Sequence, residues 1–206
     1  MATSISKFSR QLIAMTIVGL VAAIAWSPLP AANAYTDEVY SYTYAPPNLY
    51  FSRGGTINGD GAVIGTLVAY LTFDGYRHRI TMTAGSGLNQ LDDCISNAGP
   101  APDGYYGRDD GDPDSGLYFY QKTTGDEDVR GWVWYMYAKH CDGGSTNLRY
   151  GLFIHTQDSE PIWIDEYYKS IGCVKINRGD RNFLAAGYRL SYQYWNDRLK
   201  VYGNEQ

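Results

Sequence analysis

The chain has 206 residues, 44% of them apolar and 19% charged, enough for one ordinary globular domain with a core and little more. A net charge of −5 with no basic stripe argues against nucleic acid and anionic membrane surfaces as partners. Its 20 Tyr and 23 Gly, with Leu and Ala sparse beyond the N-terminus, point to pleated strands joined by turns, so the chain reads as mainly β.

Residues 1–34 have the pattern of an export signal. Lys7 and Arg10 form a basic start, residues 12–26 an apolar stretch, and Ser27-Pro28-Leu29-Pro30 breaks any helix. Ala32-Asn33-Ala34 then fits a small-x-small cleavage site before Tyr35, which leaves no retained membrane span. Cleavage removes two cations and no acid, taking the net charge from −5 to −7. The mature protein is therefore expected outside the cytoplasm: periplasmic, cell-wall-associated or extracellular.

Residues 35–60 read as a Tyr-rich N-terminal extension or lid-like edge, because Pro46-Pro47 and Gly54-Gly55 interrupt the strand-like alternation. Residues 61–206 form the domain proper. Two strand runs, 62–73 and 78–84, flank Asp74-Gly75, a strong hairpin signal. His78, between Arg77 and Arg79, is expected as a solvated strand residue without a catalytic role. A turn-rich passage, 85–103, leads into Tyr105-Tyr106 and the next strand. The acidic run 108–114 lacks the spacing and terminal Glu of an EF-hand loop and reads as a solvated loop. Strands are expected over 116–122 and 131–138, the second covered on both faces. His140 beside Cys141 has no further Cys or His at ligand spacing, so no metal site is expected.

An apolar strand, 151–155, ends in His155 before a polar loop, a position suited to facing a cleft. Residues 162–169 read as a short helix or a flap over that cleft. A short helix over 180–186 is closed by Gly187, and strands 188–194 and 198–202 complete a mainly antiparallel fold with one or two short helices. Arg178-Gly179-Asp180 spells an adhesion tripeptide but reads better as helix entry.

Three cysteines allow three pairings with one left over. Cys94 and Cys141 both lie at loop ends that a bridge could staple, and that context favours pairing them, leaving Cys173 as the thiol. Cys173 sits in Ser170-Ile171-Gly172-Cys173-Val174-Lys175, where Gly172 allows a substrate close to the backbone. A thiol that attacks a carbonyl needs a base and N–H groups to hold the oxyanion. From Cys173 alone, a buried structural cysteine is the simpler reading.

His155, then residues 156–169, then Ser170-x-Gly-Cys-Val resembles the active-site motif of the L,D-transpeptidase (YkuD-type) catalytic domain. Gly99-Pro100-Ala101-Pro102-Asp103-Gly104-Tyr105-Tyr106 is similar to the Gly-Pro-x-Pro-x-Gly-x-Tyr segment of its peptidoglycan-targeting effector branch. The resemblance covers about residues 61–206. It implies a β-sandwich or barrel that acts on peptidoglycan stem peptides as an acyl transferase or carboxypeptidase, without metal or organic cofactor. It also implies roles: Cys173 as nucleophile, His155 as base, Gly172 and Cys173 as oxyanion donors, Ser170 bracing the turn, and the Thr156 carbonyl orienting His155. A monomer is expected, and an immunity protein would be its partner if the chain acts as a toxin. Ile171 stands where many members have a second His. Lys175 stands where they have Arg, which keeps the charge and loses the planar fork. The competing reading is a secreted Tyr-rich β-domain that binds glycan or protein, with Cys173 inactive.

Overall fold

The computed structural model describes residues 35–40, 47–106, 117–125, 129–141, 148–156, 168–191 and 198–203. Within these residues the protein is mainly β with one helix, and its principal sheet is curled and mixed. The twelve strands, in chain order, are β1 (Thr36–Tyr40), β2 (Asn48–Ile57), β3 (Val63–Phe73), β4 (Tyr76–Ser86), β5 (Gly104–Tyr106), β6 (Tyr118–Lys122), β7 (Gly131–Met136), β8 (Lys139–His140), β9 (Leu148–Arg149), β10 (Leu152–His155), β11 (Val174–Ile176) and β12 (Arg198–Tyr202). The principal sheet runs β5-β12-β2-β3-β4-β11-β10-β7-β6, while β8 and β9 pair separately. Two of its pairs, β10–β11 and β12–β2, are parallel. The helix, α1, spans Arg178–Ser191.

The β3–β4 hairpin turns on Asp74 and Gly75, with φ of 50° and 79°. Two positive φ values in a two-residue loop make the twist of the turn match that of the strands, as Asp-Gly predicts. Strand parity then sends Leu67, Ala69 and Leu71 to one face, opposite Met82, Ile80 and His78. The same parity aligns Leu49 and Phe51 of β2 with Leu199 and Val201 of β12. These side chains join Trp134, Met136, Ile154, Val174 and Ile176 in a single core, over which α1 lays Leu184, Ala185 and Tyr188.

Several expectations need correction. The segment 48–57, expected in an extension or edge, is an interior strand between β12 and β3. Its Gly54 marks a close backbone approach, not a turn: a Cβ there would sit 2.0 Å from the Ile64 carbonyl oxygen, beside a register shift between Arg53 and Ile57. His78 is buried, 7% exposed, because its position on β4 alternates with Ile80 onto the core face. Its Nδ1 lies 3.1 Å from both carboxylate oxygens of Asp37, and its ring stacks on Phe73.

The helix is also longer than expected, and the strand foreseen over 188–194 is helical through Ser191. Leu184, Tyr188 and Ser191 recur at helical spacing on the sheet-facing side. Gly187 closes nothing; a Cβ there would lie 2.9 Å from Leu71 Cδ1, so the glycine lets α1 approach β3. Ser191 Oγ then donates to the Thr72 carbonyl at 2.7 Å and accepts from the Thr72 N–H at 2.9 Å, tying the last turn to β3. At the other end, the Asp180 N–H donates to Asn177 Oδ1 at 2.7 Å while Asn177 Nδ2 donates to Asp180 Oδ2 at 2.8 Å. This reciprocal cap makes the Arg178-Gly179-Asp180 triplet a helix entry, with Asp180 fully buried.

No helix among the described residues is long and apolar enough to cross a membrane. The expected signal segment 1–34, the acidic run 108–114 and residues 162–167 of the expected flap lie outside the described residues.

Candidate active site

Parallel pairing of β10 with β11 creates the site. The register sets Ile154 opposite Val174 and His155 opposite Lys175. Ile154, Val174 and Ile176 point into the core, so Phe153, His155 and Lys175 point to the other face. Cys173, two residues before Lys175, joins them. Phe153, His155, Cys173 and Lys175 all line one cavity of about 540 Å³, together with Ser170 and Arg149. The pairing therefore brings the expected base and nucleophile to one wall.

His155 is 2% exposed, and its Nδ1 lies 2.9 Å from the Thr156 carbonyl oxygen. With the Nδ1–H donated to that carbonyl, Nε2 is the basic nitrogen. Thr156 makes this contact through its backbone.

The turn carrying Cys173 is braced by Ser170. Its hydroxyl donates to the Cys173 carbonyl at 2.5 Å and accepts from the N–H of Gly172 at 3.2 Å and of Gly87 at 3.3 Å. One donor and two acceptors use the capacity of a hydroxyl fully. The Ser170 N–H donates back to the Gly87 carbonyl at 3.0 Å. Ser86, fully buried, donates to the Gly172 carbonyl at 3.2 Å and accepts from the Ala101 N–H at 2.9 Å. The end of β4, the Gly-Pro loop and the cysteine turn are thus stitched into one unit.

One expected role changes. The Gly172 N–H already donates to Ser170 Oγ, so an oxyanion at that donor would compete with the brace. What Gly172 supplies is conformation and space: its φ is 129°, and a Cβ would lie 2.3 Å from Arg149 Nη2 and 3.0 Å from Leu152 Cδ2.

The Gly-Pro loop is fixed from several sides. Cys94 and Cys141 form a disulfide, which leaves Cys173, 7% exposed, outside any bridge. Asp93 lies beside the bridged sulfurs, but sulfurs bonded to each other are not thiolate ligands, so this cluster holds no metal site. Arg53 pairs with Asp103 at 2.5 Å and approaches Asp93 at 3.6 Å. Tyr106 Oη donates to the Pro102 carbonyl at 2.8 Å, and burial foremost, with Asp93 next, pushes that phenol far above its ordinary value. Breaking the disulfide in a Cys94→Ser/Cys141→Ser protein should cost about 4 kcal/mol by the loop-entropy account, read as a lowered urea midpoint.

Ser86 and Arg149 escape sequence reasoning. Ser86 ends a small-residue run that reads as a turn, and Arg149 lies in a polar stretch without periodicity. Ser86 bonds Gly172, 86 positions away, and Arg149 bonds Gly99, 50 positions away, and no local signal announces such contacts.

No family model matches the chain, and no curated protein or solved structure matches it.

Proposed function

We propose that this protein is an exported, cysteine-dependent acyl transferase or carboxypeptidase of the L,D-transpeptidase type, acting on peptidoglycan stem peptides. The observation that carries this reading is the shared cavity wall: His155, its Nδ1 held by the Thr156 carbonyl, and Cys173 in the turn just before the adjacent parallel strand. The resemblance of His155 and Ser170-x-Gly-Cys-Val to the family motif gives the substrate class, and the disulfide suits an oxidising compartment.

In this mechanism His155 Nε2 takes the Cys173 proton and the thiolate attacks a stem-peptide carbonyl carbon. The Cys173 N–H is the oxyanion donor, a contact of the kind worth about 3 kcal/mol. The imidazolium returns its proton to the leaving amine of D-Ala, which departs as the thioester forms. His155 then deprotonates either an amine of a second stem, giving a cross-link, or water, giving a trimmed stem.

Isolated sacculi incubated with the protein, digested to muropeptides and weighed by mass spectrometry, provide the test. Stems shortened by D-Ala or new cross-linked dimers are expected, and protein blocked at Cys173 with iodoacetamide should yield neither. Identical digests from blocked and unblocked protein would transfer the chain to the reading of a glycan- or protein-binding β-domain.

A further inference from the structure

Arg149, at the end of β9, is 5% exposed and yet lies directly beneath the cysteine turn. Its Nη1 donates to the carbonyls of Asp93 at 2.5 Å and Ile95 at 3.1 Å, and its Nη2 to those of Gly99 at 3.2 Å and Ile171 at 3.0 Å. Carbonyl oxygens satisfy donors without cancelling a unit charge. Among the described residues, no carboxylate stands within ion-pair distance of this guanidinium. A buried cation so held exerts its field on whatever lies next to it, and the next groups are Gly172 and Cys173.

We propose that Arg149 is a positioning residue that holds Cys173 in its thiolate form, while its four hydrogen bonds lock the Gly-Pro loop to the cysteine turn. The inference rests on Cys173 being the nucleophile. Ionisation breaks the S–H bond, sends the proton to His155 Nε2, and leaves the sulfur anion between imidazolium and guanidinium. Burial of the thiol opposes this step, and the flanking cations offset it. Burial foremost depresses Arg149 from its ordinary value, and interaction with Tyr106, Asp93 and Cys173 opposes that shift.

Among the described residues that line the cavity with the thiol, the charged and titratable groups are His155 from β10, Lys175 from β11, Lys169 before the turn, Lys122 from β6, Arg149 from β9 and Tyr150 just after it. Asp93 and Tyr106 stand behind Arg149, away from the lining of the cavity. Arg149 is fixed by four bonds. A guanidinium also stays charged at every pH that the thiol titrates through.

The test follows the pH dependence of Cys173 alkylation by iodoacetamide and of thiolate absorbance near 240 nm, each referenced to Cys173→Ala. An Arg149→Met protein should show a midpoint about one unit higher, so alkylation about tenfold slower at a pH below both midpoints, whereas Arg149→Lys should recover most of the difference. A folded Arg149→Met protein with an unchanged midpoint overturns the proposal. A second measurement does not need Arg149 altered: in His155→Ala the midpoint should stay below the ordinary thiol value of about 8.5. A midpoint at or above that value overturns the proposal equally. Neither readout requires peptidoglycan, so a low midpoint with unchanged sacculi would sink the substrate reading and leave the role of Arg149 standing.

Discussion

A Cys173→Ala protein is expected to fold as the wild type does and to leave sacculi untouched, with turnover down by at least about 10⁴-fold. The fold should survive because the turn is held by backbone partners, not by the thiol. Ser170 bonds the Cys173 carbonyl and the Gly172 N–H, Ser86 bonds the Gly172 carbonyl, and Val174 is anchored in the core. Replacing a small, 7% exposed sulfur with hydrogen should cost about 1 kcal/mol. The reaction has no substitute for the thioester, so loss of the sulfur should remove turnover outright. His155→Ala is expected to lose a comparable factor, since in the proposed mechanism Nε2 moves the proton in both halves of the reaction, and the double variant should be little worse than either single one. Such non-additivity is what a pair acting as a unit produces. Thermal unfolding of all three proteins, beside muropeptide analysis, separates the outcomes. A Cys173→Ala protein that remains folded and still trims stems would end the nucleophile reading.

The parts of this site that were legible in the sequence are those written in local chemistry. Asp74-Gly75 predicts its hairpin because both residues accept positive φ, and parity along β3 and β4 follows from that turn. His155 at the end of an apolar strand is legible for the same reason: alternation ends there and a polar loop begins. The pairing of Cys94 with Cys141 also emerged from local context, each lying at a loop end. What failed was any inference that needed a distant partner. Gly54 looks like a turn until Ile64 is seen against it, and Gly187 looks like a helix stop until β3 is packed beneath it. The run from Tyr188 to Tyr194 alternates in a way that suits a strand, but the sheet face available to Tyr188 and Ser191 selects a helix over the described part of it. His78 was read by its charged neighbours, whereas its burial depends on Asp37 and Phe73. Arg149 is the extreme case, since each carbonyl it binds belongs to another segment of chain.

Gly172→Val should be the most damaging single change at the turn, because it fails on two independent grounds. The φ of 129° is one that a β-branched residue adopts only under strain, which costs about 1–3 kcal/mol. The added side chain also meets Arg149 Nη2 at 2.3 Å from its first carbon, and that guanidinium cannot withdraw without abandoning four carbonyls. Overpacking of this kind costs a further 1–3 kcal/mol or about that. A total loss of roughly 4 kcal/mol is expected, comparable with breaking the disulfide but centred on the nucleophile. If the turn relaxes instead of unfolding, Cys173 leaves its place relative to His155, and a displacement of about 1 Å is enough to lower the rate some 10²-fold. Gly172→Ala should show the same pattern in milder form, since it adds the clashing carbon without the branch. Measured together, urea midpoints and stem-trimming rates should fall in both variants, with Val below Ala. A Gly172→Val protein with wild-type stability and wild-type rate would mean that the turn does not hold this conformation in the working protein, and that Arg149 does not sit against it.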